Sequence, residues 1–208
     1  MNPWVGNLSF LFSVIASVCI RIPHDKRSQA TKISEDRKGT LEKILMGLVM
    51  IGMVVLPLLS FTPLLDFAAY SLTPLNVAVG IIAMLLSLWL FHRSHADLGR
   101  NWSATLQIRE DHALVTGGIY ESIRHPMYTS IFLLAIGQLF LLPNWIAGPG
   151  LLVAFSAMFF TRLHTEERMM LDKFGYKYED YRSSTKRIIT GVWKYIAVKV
   201  KTLVRVEK

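Results

Sequence analysis

Two clusters in this 208-residue chain gather side chains that can do chemistry. One is Arg124-His125-Pro126-Met127-Tyr128, entered through Gly117-Gly118-Ile119-Tyr120; the other is Glu166-Glu167. Arg124 carries a planar fork that can hold both oxygens of a carboxylate. His125 can give or take a proton near neutral pH. Pro126 suits the first position of a helix, where its missing N–H costs nothing. The glycines let the backbone turn tightly or come close to a ligand. The same residues equally describe a basic membrane-interface loop with Arg124 as a topology anchor, or a structural Arg–Glu pair. The elements around them have to decide.

Those elements are apolar blocks. Just over half the chain is hydrophobic, and only 18% is charged. The blocks fall at 4–20, 44–65, 75–91, 128–142 and 145–160. A membrane-spanning helix needs about 17–25 predominantly apolar residues. The first three meet that length, and the last two must borrow flanking residues. The expectation is an all-α integral membrane protein of five transmembrane helices. Ile22-Pro23 is expected to stop the first helix. No basic region precedes the first block, which reads as a retained anchor rather than a cleaved signal.

Charge placement gives an orientation. The 21–43 loop holds 7 Lys/Arg, 91–128 holds 4, and the stretch from 162 onward holds 12, which together are all 23 in the chain. The 60–74 and 143–144 loops hold none. By the positive-inside rule the N-terminus is external and the C-terminus cytoplasmic, as an odd number of spans requires. Three parts follow: residues 1–92 with three helices and the basic loop 21–43, a chemically rich region 93–182, and a basic tail 183–208. Within that tail, 193–208 reads as an interfacial helix against acidic headgroups, although Val198-Lys199-Val200-Lys201 equally alternates like a strand.

The fourth and fifth blocks are separated only by Pro143-Asn144, which makes them an antiparallel hairpin. Arg124 lies 19 residues before Pro143 and Glu167 lies 23 after Asn144. At ~1.5 Å per helical residue the arms are roughly 28 and 34 Å. Arg124-His125 should therefore return beside Glu166-Glu167 at the cytoplasmic surface. Gly148-Pro149-Gly150 can lengthen the turn without changing which face the ends share. The aromatic run 174–181, after a helix cap at Gly175, can fold over that spot.

Other classes fit less well. The net charge of +8 lies on one membrane face, where it attracts anionic lipid, and no zinc-finger, RNA-binding or helix-turn-helix pattern points to nucleic acid. Cys19 is alone in an apolar block, so no disulfide framework or thiolate site is expected. His92 and His95 would share a helix face, but no further ligand follows at a metal-binding spacing, and no metal is expected.

Taken in order, Gly118-Ile119-Tyr120, Arg124-His125-Pro126-x-Tyr128, Glu166-Glu167 and Phe174-Gly175-x-x-Tyr178-x-x-Tyr181 resemble the isoprenylcysteine carboxyl methyltransferase family. Asn101-Trp102-Ser103 and His112-Ala113-Leu114-Val115 resemble the family's cofactor region, and the five-span layout resembles its compact prokaryotic members. The resemblance covers about residues 98–181. It implies S-adenosylmethionine as methyl donor, held by His112, Leu114, Val115, Gly118, Tyr120, His125, Pro126 and Tyr128. It implies that Arg124 and Glu167 serve the reacting carboxylate, with Glu166 beside them at the substrate. The acceptor would be a lipophilic, isoprenylcysteine-like carboxylate. Phospholipid amine N-methylation, or a non-catalytic membrane binding module, are the alternatives. No Gly-x-Gly-x-x-Gly turn argues for a Rossmann domain instead.

Overall fold

The computed structural model describes residues 2–29, 33–36, 39–99, 107–109 and 113–188. His112, the Asn101-Trp102-Ser103 stretch and the expected interfacial helix at 193–208 lie outside the described residues. The described chain is mostly helical. Its helices are α1 (Pro3–Gln29), α2 (Thr40–Met50), α3 (Leu56–Leu59), α4 (Pro74–Leu98), α5 (Pro126–Leu141), α6 (Ala147–Phe174) and α7 (Tyr176–Ser184). A short antiparallel ribbon, β1 (Ile33–Asp36) with β2 (Gln107–Arg109), pairs Ile33 with Arg109 and Asp36 with Gln107. It joins two polar segments that the all-helical expectation left as loops.

Among the described residues three stretches are long and apolar enough to cross a membrane: Pro3–Asp25, Thr40–Leu59 and Pro74–Leu98. α5 is apolar but only 16 residues long, and α6 is charged in its C-terminal half. Large apolar side chains such as Phe12, Leu85, Val153 and Phe160 stand exposed around the bundle. Exposed apolar surface on that scale fits lipid rather than water. This is an integral membrane protein.

One helix detail differs from the sequence expectation. α1 runs through Pro23 to Gln29 instead of stopping there. Proline removes one backbone hydrogen bond, but Arg21 and Asp25 pair across it at 3.2 Å, one turn apart on the same face. α4 continues past His92 to Leu98, where Gly99 at φ 56° ends it.

The segment from Thr40 to Leu59 is one continuous helix with a π-helical turn at Ile51–Val55. Pro57 lacks the N–H that the carbonyl four residues back would accept, and a widened turn relieves that mismatch. The widened turn also leaves the Gly52 carbonyl to be satisfied by Gln138 Nε2, which donates at 2.9 Å from α5. Gly52 lies against the Gly150 backbone of α6, so close that an added Cβ would sit 2.7 Å from the Gly150 oxygen.

Asn144 organises the connection between α5 and α6. Its Oδ1 accepts the N–H groups of Ile146 and Ala147, both at 3.0 Å, and its Nδ2 donates to the Leu65 carbonyl at 2.8 Å. α6 then starts at Ala147, so Gly148-Pro149-Gly150 forms its first turn, where proline is tolerated. Leu134, Leu141, Leu151, Phe155 and Phe159 fill the seam between the two helices. That seam fixes what meets at the far ends of α5 and α6.

Candidate active site

The site is assembled by the segment leading into α5. Gly118 takes φ 64° and lies so close to the Asp97 carboxylate that no Cβ would fit. Asp97, itself paired with Arg93 at 2.8 Å, accepts the Ile119 N–H at 2.8 Å. The short 3-10 turn Gly118–Glu121 is thereby pinned to the end of α4 and buries Tyr120. Tyr120 donates to the Ser94 carbonyl at 3.3 Å, and burial among acidic neighbours holds its phenol well above the usual range.

Residues 123–125 are non-helical, with His125 at φ −121° and ψ 60°, since the residue before a proline is kept out of the α region. They pair in parallel with the segment after α7: Arg124 N–H donates to the Lys186 carbonyl at 2.8 Å, and His125 N–H to that of Arg187 at 3.1 Å. This strap turns the Arg124 side chain into the protein. Its Nη1 donates to the Arg182 carbonyl at 3.0 Å, and its Nη2 meets Glu167 Oε1 at 3.1 Å. Both side chains are only 6% exposed, so the pair is buried.

Glu167 has three cationic or donating neighbours. Arg187 contacts it with two prongs, Nε at 3.2 Å from Oε1 and Nη2 at 3.0 Å from Oε2. His125 Nε2 lies 3.5 Å from Oε1, at the outer edge of hydrogen bonding. Burial alone would raise the Glu167 pKa. His125, Arg187 and Arg124 outweigh that and lower it to about 2. Glu166 turns the other way: it accepts from the Tyr128 hydroxyl and lies 4.0 Å from Arg162 Nε. The Tyr128 ring stacks on His125 at 5.4 Å between centroids.

In front of this network is a cavity of about 330 Å³. Leu114, Val115, Tyr120, Pro126 and Tyr128 line it, as do Arg124, His125 and Glu166. Its other end is walled by Met46, Met50 and Met53 of the second helix and by Met158. One end is therefore charged and aromatic, the other apolar and pliable. Tyr178 and Tyr181 close over the charged end, as the aromatic run suggested.

Most of the residues named from the sequence thus border one space. Gly118 does not; it serves the backbone turn against Asp97. Glu167 lies behind Arg124 rather than on the cavity wall. Arg187 was missed. Nothing in its local sequence separates it from the other cations after residue 162, and its position follows from a strand pairing that has no local signal. Arg162, buried against Glu42 at 3.5 Å, was missed for the same reason. Among the described residues no group of three or more His, Cys, Asp or Glu is placed to hold a metal.

A membrane-embedded helical bundle with a buried arginine–carboxylate centre at one end of an amphipathic cavity is the class of site this chain builds. Residues 76–172 match the isoprenylcysteine carboxyl methyltransferase (ICMT) family. That stretch runs from the first turn of α4 through α5 to near the end of α6, and overlaps the resemblance read from the sequence over 98–172, short of its 174–181 motif. Among named proteins, the protein-S-isoprenylcysteine O-methyltransferase of Schizosaccharomyces pombe is 37% identical over 83 residues, 40% of this chain and 34% of that protein. The Dictyostelium discoideum protein of the same name is 33% identical over 116 residues, 55% of this chain and 49% of that one. The chain spans half or less of the length of these relatives. A solved eukaryotic intramembrane Ras methyltransferase ICMT overlaps 73% of this chain and 51% of its own at 26% identity, with a TM-score of 0.47, too loose to define the fold.

Proposed function

We propose that this protein is an S-adenosylmethionine-dependent methyltransferase that esterifies the carboxylate of a lipophilic, isoprenylcysteine-like acceptor. The observation that carries the reading is Arg124. It is a buried guanidinium at the polar end of a cavity whose other end is lined by methionines. An amphipathic carboxylate fits that polarity: the head meets a fork matched to two oxygens, and the tail meets apolar surface.

The cavity also suits the donor. About 330 Å³ falls within the ~300–1,000 Å³ usual for small-molecule sites. Its mixture of aromatic rings, backbone and charge fits a molecule with a base, a sugar and an amino-acid end. Leu114, Val115, Tyr120, His125, Pro126 and Tyr128 would hold it; the family resemblance adds His112 and Gly118. When bound, the donor supplies an electrophilic methyl group on a sulfonium.

The protein's own work is alignment. A carboxylate is already ionised and nucleophilic at neutral pH, so no base is required. Arg124 sets the direction of its oxygens, Glu167 sets Arg124, and Glu166 with Tyr128 shapes the wall beside it. Tyr178 and Tyr181 keep water from the polar end. Orientation of this kind supplies several kcal/mol to a bimolecular displacement. Amine methylation would need Glu167 or His125 as a base, and Glu167, lowered to about 2, is too weak to take a proton from an ammonium group at neutral pH.

The arrangement we propose has five spans, with α5 and α6 as a hairpin and the catalytic end at the cytoplasmic face. The test is methyl transfer from labelled S-adenosylmethionine to a minimal prenylcysteine, compared with phosphatidylethanolamine vesicles. Base-stable label in the vesicle lipid, with none in the prenylcysteine, would replace this reading with amine methylation. Failure to bind S-adenosylmethionine would leave a non-catalytic membrane protein.

A further inference from the structure

Glu167 is shared unequally. Arg187 grips it with two prongs, while Arg124 reaches it with Nη2 alone. A carboxylate facing a single guanidinium prefers the two-pronged geometry, and such a pair is electrically neutral. A neutral pair would attract an incoming anion poorly. Two guanidinium groups around one carboxylate leave one positive charge over.

That surplus falls at Arg124. Its Nε is buried and has no hydrogen-bond partner among the described residues. Its side chain borders the amphipathic cavity and also a second, basic one of about 470 Å³, lined with Arg182, Lys186 and Arg187. We propose that Arg187 is a positioning residue: by occupying Glu167 with two prongs it keeps Arg124 available to the acceptor's carboxylate. This rests on the reading of the site as one for an acceptor carboxylate.

The strap that delivers Arg187 does not depend on its side chain. Its carbonyl accepts the His125 N–H at 3.1 Å, and the neighbouring Lys186 carbonyl accepts the Arg124 N–H. Truncating the side chain therefore leaves the strap's backbone pairing in place. Glu167 then turns its full face to Arg124 and neutralises it. Removing the Glu167 charge as well reverses that neutralisation, an interaction opposite in sign to simple accumulated damage.

The experiment compares binding of a prenylcysteine acid with binding of its methyl ester, which lacks the charge. Calorimetry is run on the full chain in detergent, with melting temperature followed alongside. Wild type prefers the acid. Arg187→Ala lowers the acid-to-ester preference about tenfold, the scale of one charge-assisted contact. Arg187→Lys keeps part of it, and Arg187→Ala with Glu167→Gln recovers most of it. An unchanged preference in Arg187→Ala overturns the proposal, as does a double variant no better than the single. A lower melting temperature in Arg187→Ala, with the preference intact, marks a purely structural role and overturns it too. A wild type with no acid preference overturns the functional reading itself, and this inference with it.

Discussion

Tyr181 donates its hydroxyl to the main-chain carbonyl of Tyr120 at 2.6 Å, joining residues 61 apart in the chain. The bond ties α7 to the turn that presents Tyr120, so the cover over the cavity and its wall move as one unit. Burial keeps the Tyr181 phenol above its ordinary pKa, and hence a donor.

Tyr181→Phe removes that donor and leaves the ring. A net hydrogen bond contributes about 1 kcal/mol, and a carbonyl left unsatisfied costs about 1–3 kcal/mol. The expected result is S-adenosylmethionine affinity reduced about five- to tenfold, with a modest drop in melting temperature. Calorimetry and thermal unfolding in detergent check both.

Arg124 and Glu167 should separate by what they touch. Arg124→Lys keeps the charge but loses the fork, so turnover falls by about tenfold or more while donor affinity barely changes. Glu167→Gln keeps an acceptor for Arg124 but loses the orienting charge, and turnover falls again. The double variant should be less than additively impaired, because both act through one contact. Full turnover in Arg124→Lys at wild-type stability would sink the assignment.

The depressed Glu167 pKa has a consequence for acid stability. Its folded value of about 2 lies below the ordinary 4.5, because burial is outweighed by His125, Arg187 and Arg124. Ionised Glu167 therefore stabilises the fold fully above about pH 4.5, and that contribution is lost as pH falls toward 2. The expected loss is on the order of a few kcal/mol. Melting temperature should fall more steeply with acid in wild type than in Glu167→Gln, and the two curves should converge between pH 4.5 and 2. Parallel curves would show that the pair contributes no linkage.

The meeting of Arg124 with Glu167 was legible in the sequence because helical rise converts residue counts into lengths, and the two arms matched. The π-turn was not. Pro57 signals a defect, but its form depends on Gln138 reaching the Gly52 carbonyl from another helix. Pro23 misled for a related reason, since Arg21 and Asp25 support the helix on either side of it. Arg187 depends on the pairing of 124 with 186, a long-range contact that neither periodicity nor charge count encodes.

Close packing at Gly52 gives a stability test away from the chemistry. A Cβ there would meet the Gly150 oxygen at 2.7 Å, and that atom is backbone that cannot step aside. Gly52→Ala should destabilise by about 1–3 kcal/mol, the usual cost of overpacking. Gly47→Ala, on the same helix with nothing within 4 Å of the added atom, is the control and should be neutral or slightly stabilising. Equal melting temperatures in the two variants would show that the π-turn and α6 are not held this closely.

Orientation can be tested without any assay of activity. All 23 Lys and Arg fall in three segments, and the 60–74 and 143–144 loops carry none. The 91–128 segment and the stretch from 162 share a side whether α5 and α6 both cross or the pair turns back within the bilayer, because one precedes that pair and the other follows it. If the pair instead turned back within the bilayer, the turn at 143–144 would lie at membrane depth. That is permissible only where protein buries it, and Asn144 is indeed buried, with both ends of its side-chain amide hydrogen-bonded. The turn is therefore the discriminating position. A cysteine placed at exposed Trp145 should react with an impermeant thiol reagent from outside the cell, in a Cys19→Ser background. A reporter after Lys208 should read cytoplasmic, and one before Trp4 external. Labelling at position 145 with both termini on opposite sides is the five-span result. Protection at 145, or both termini on one side, would remove the five-span arrangement.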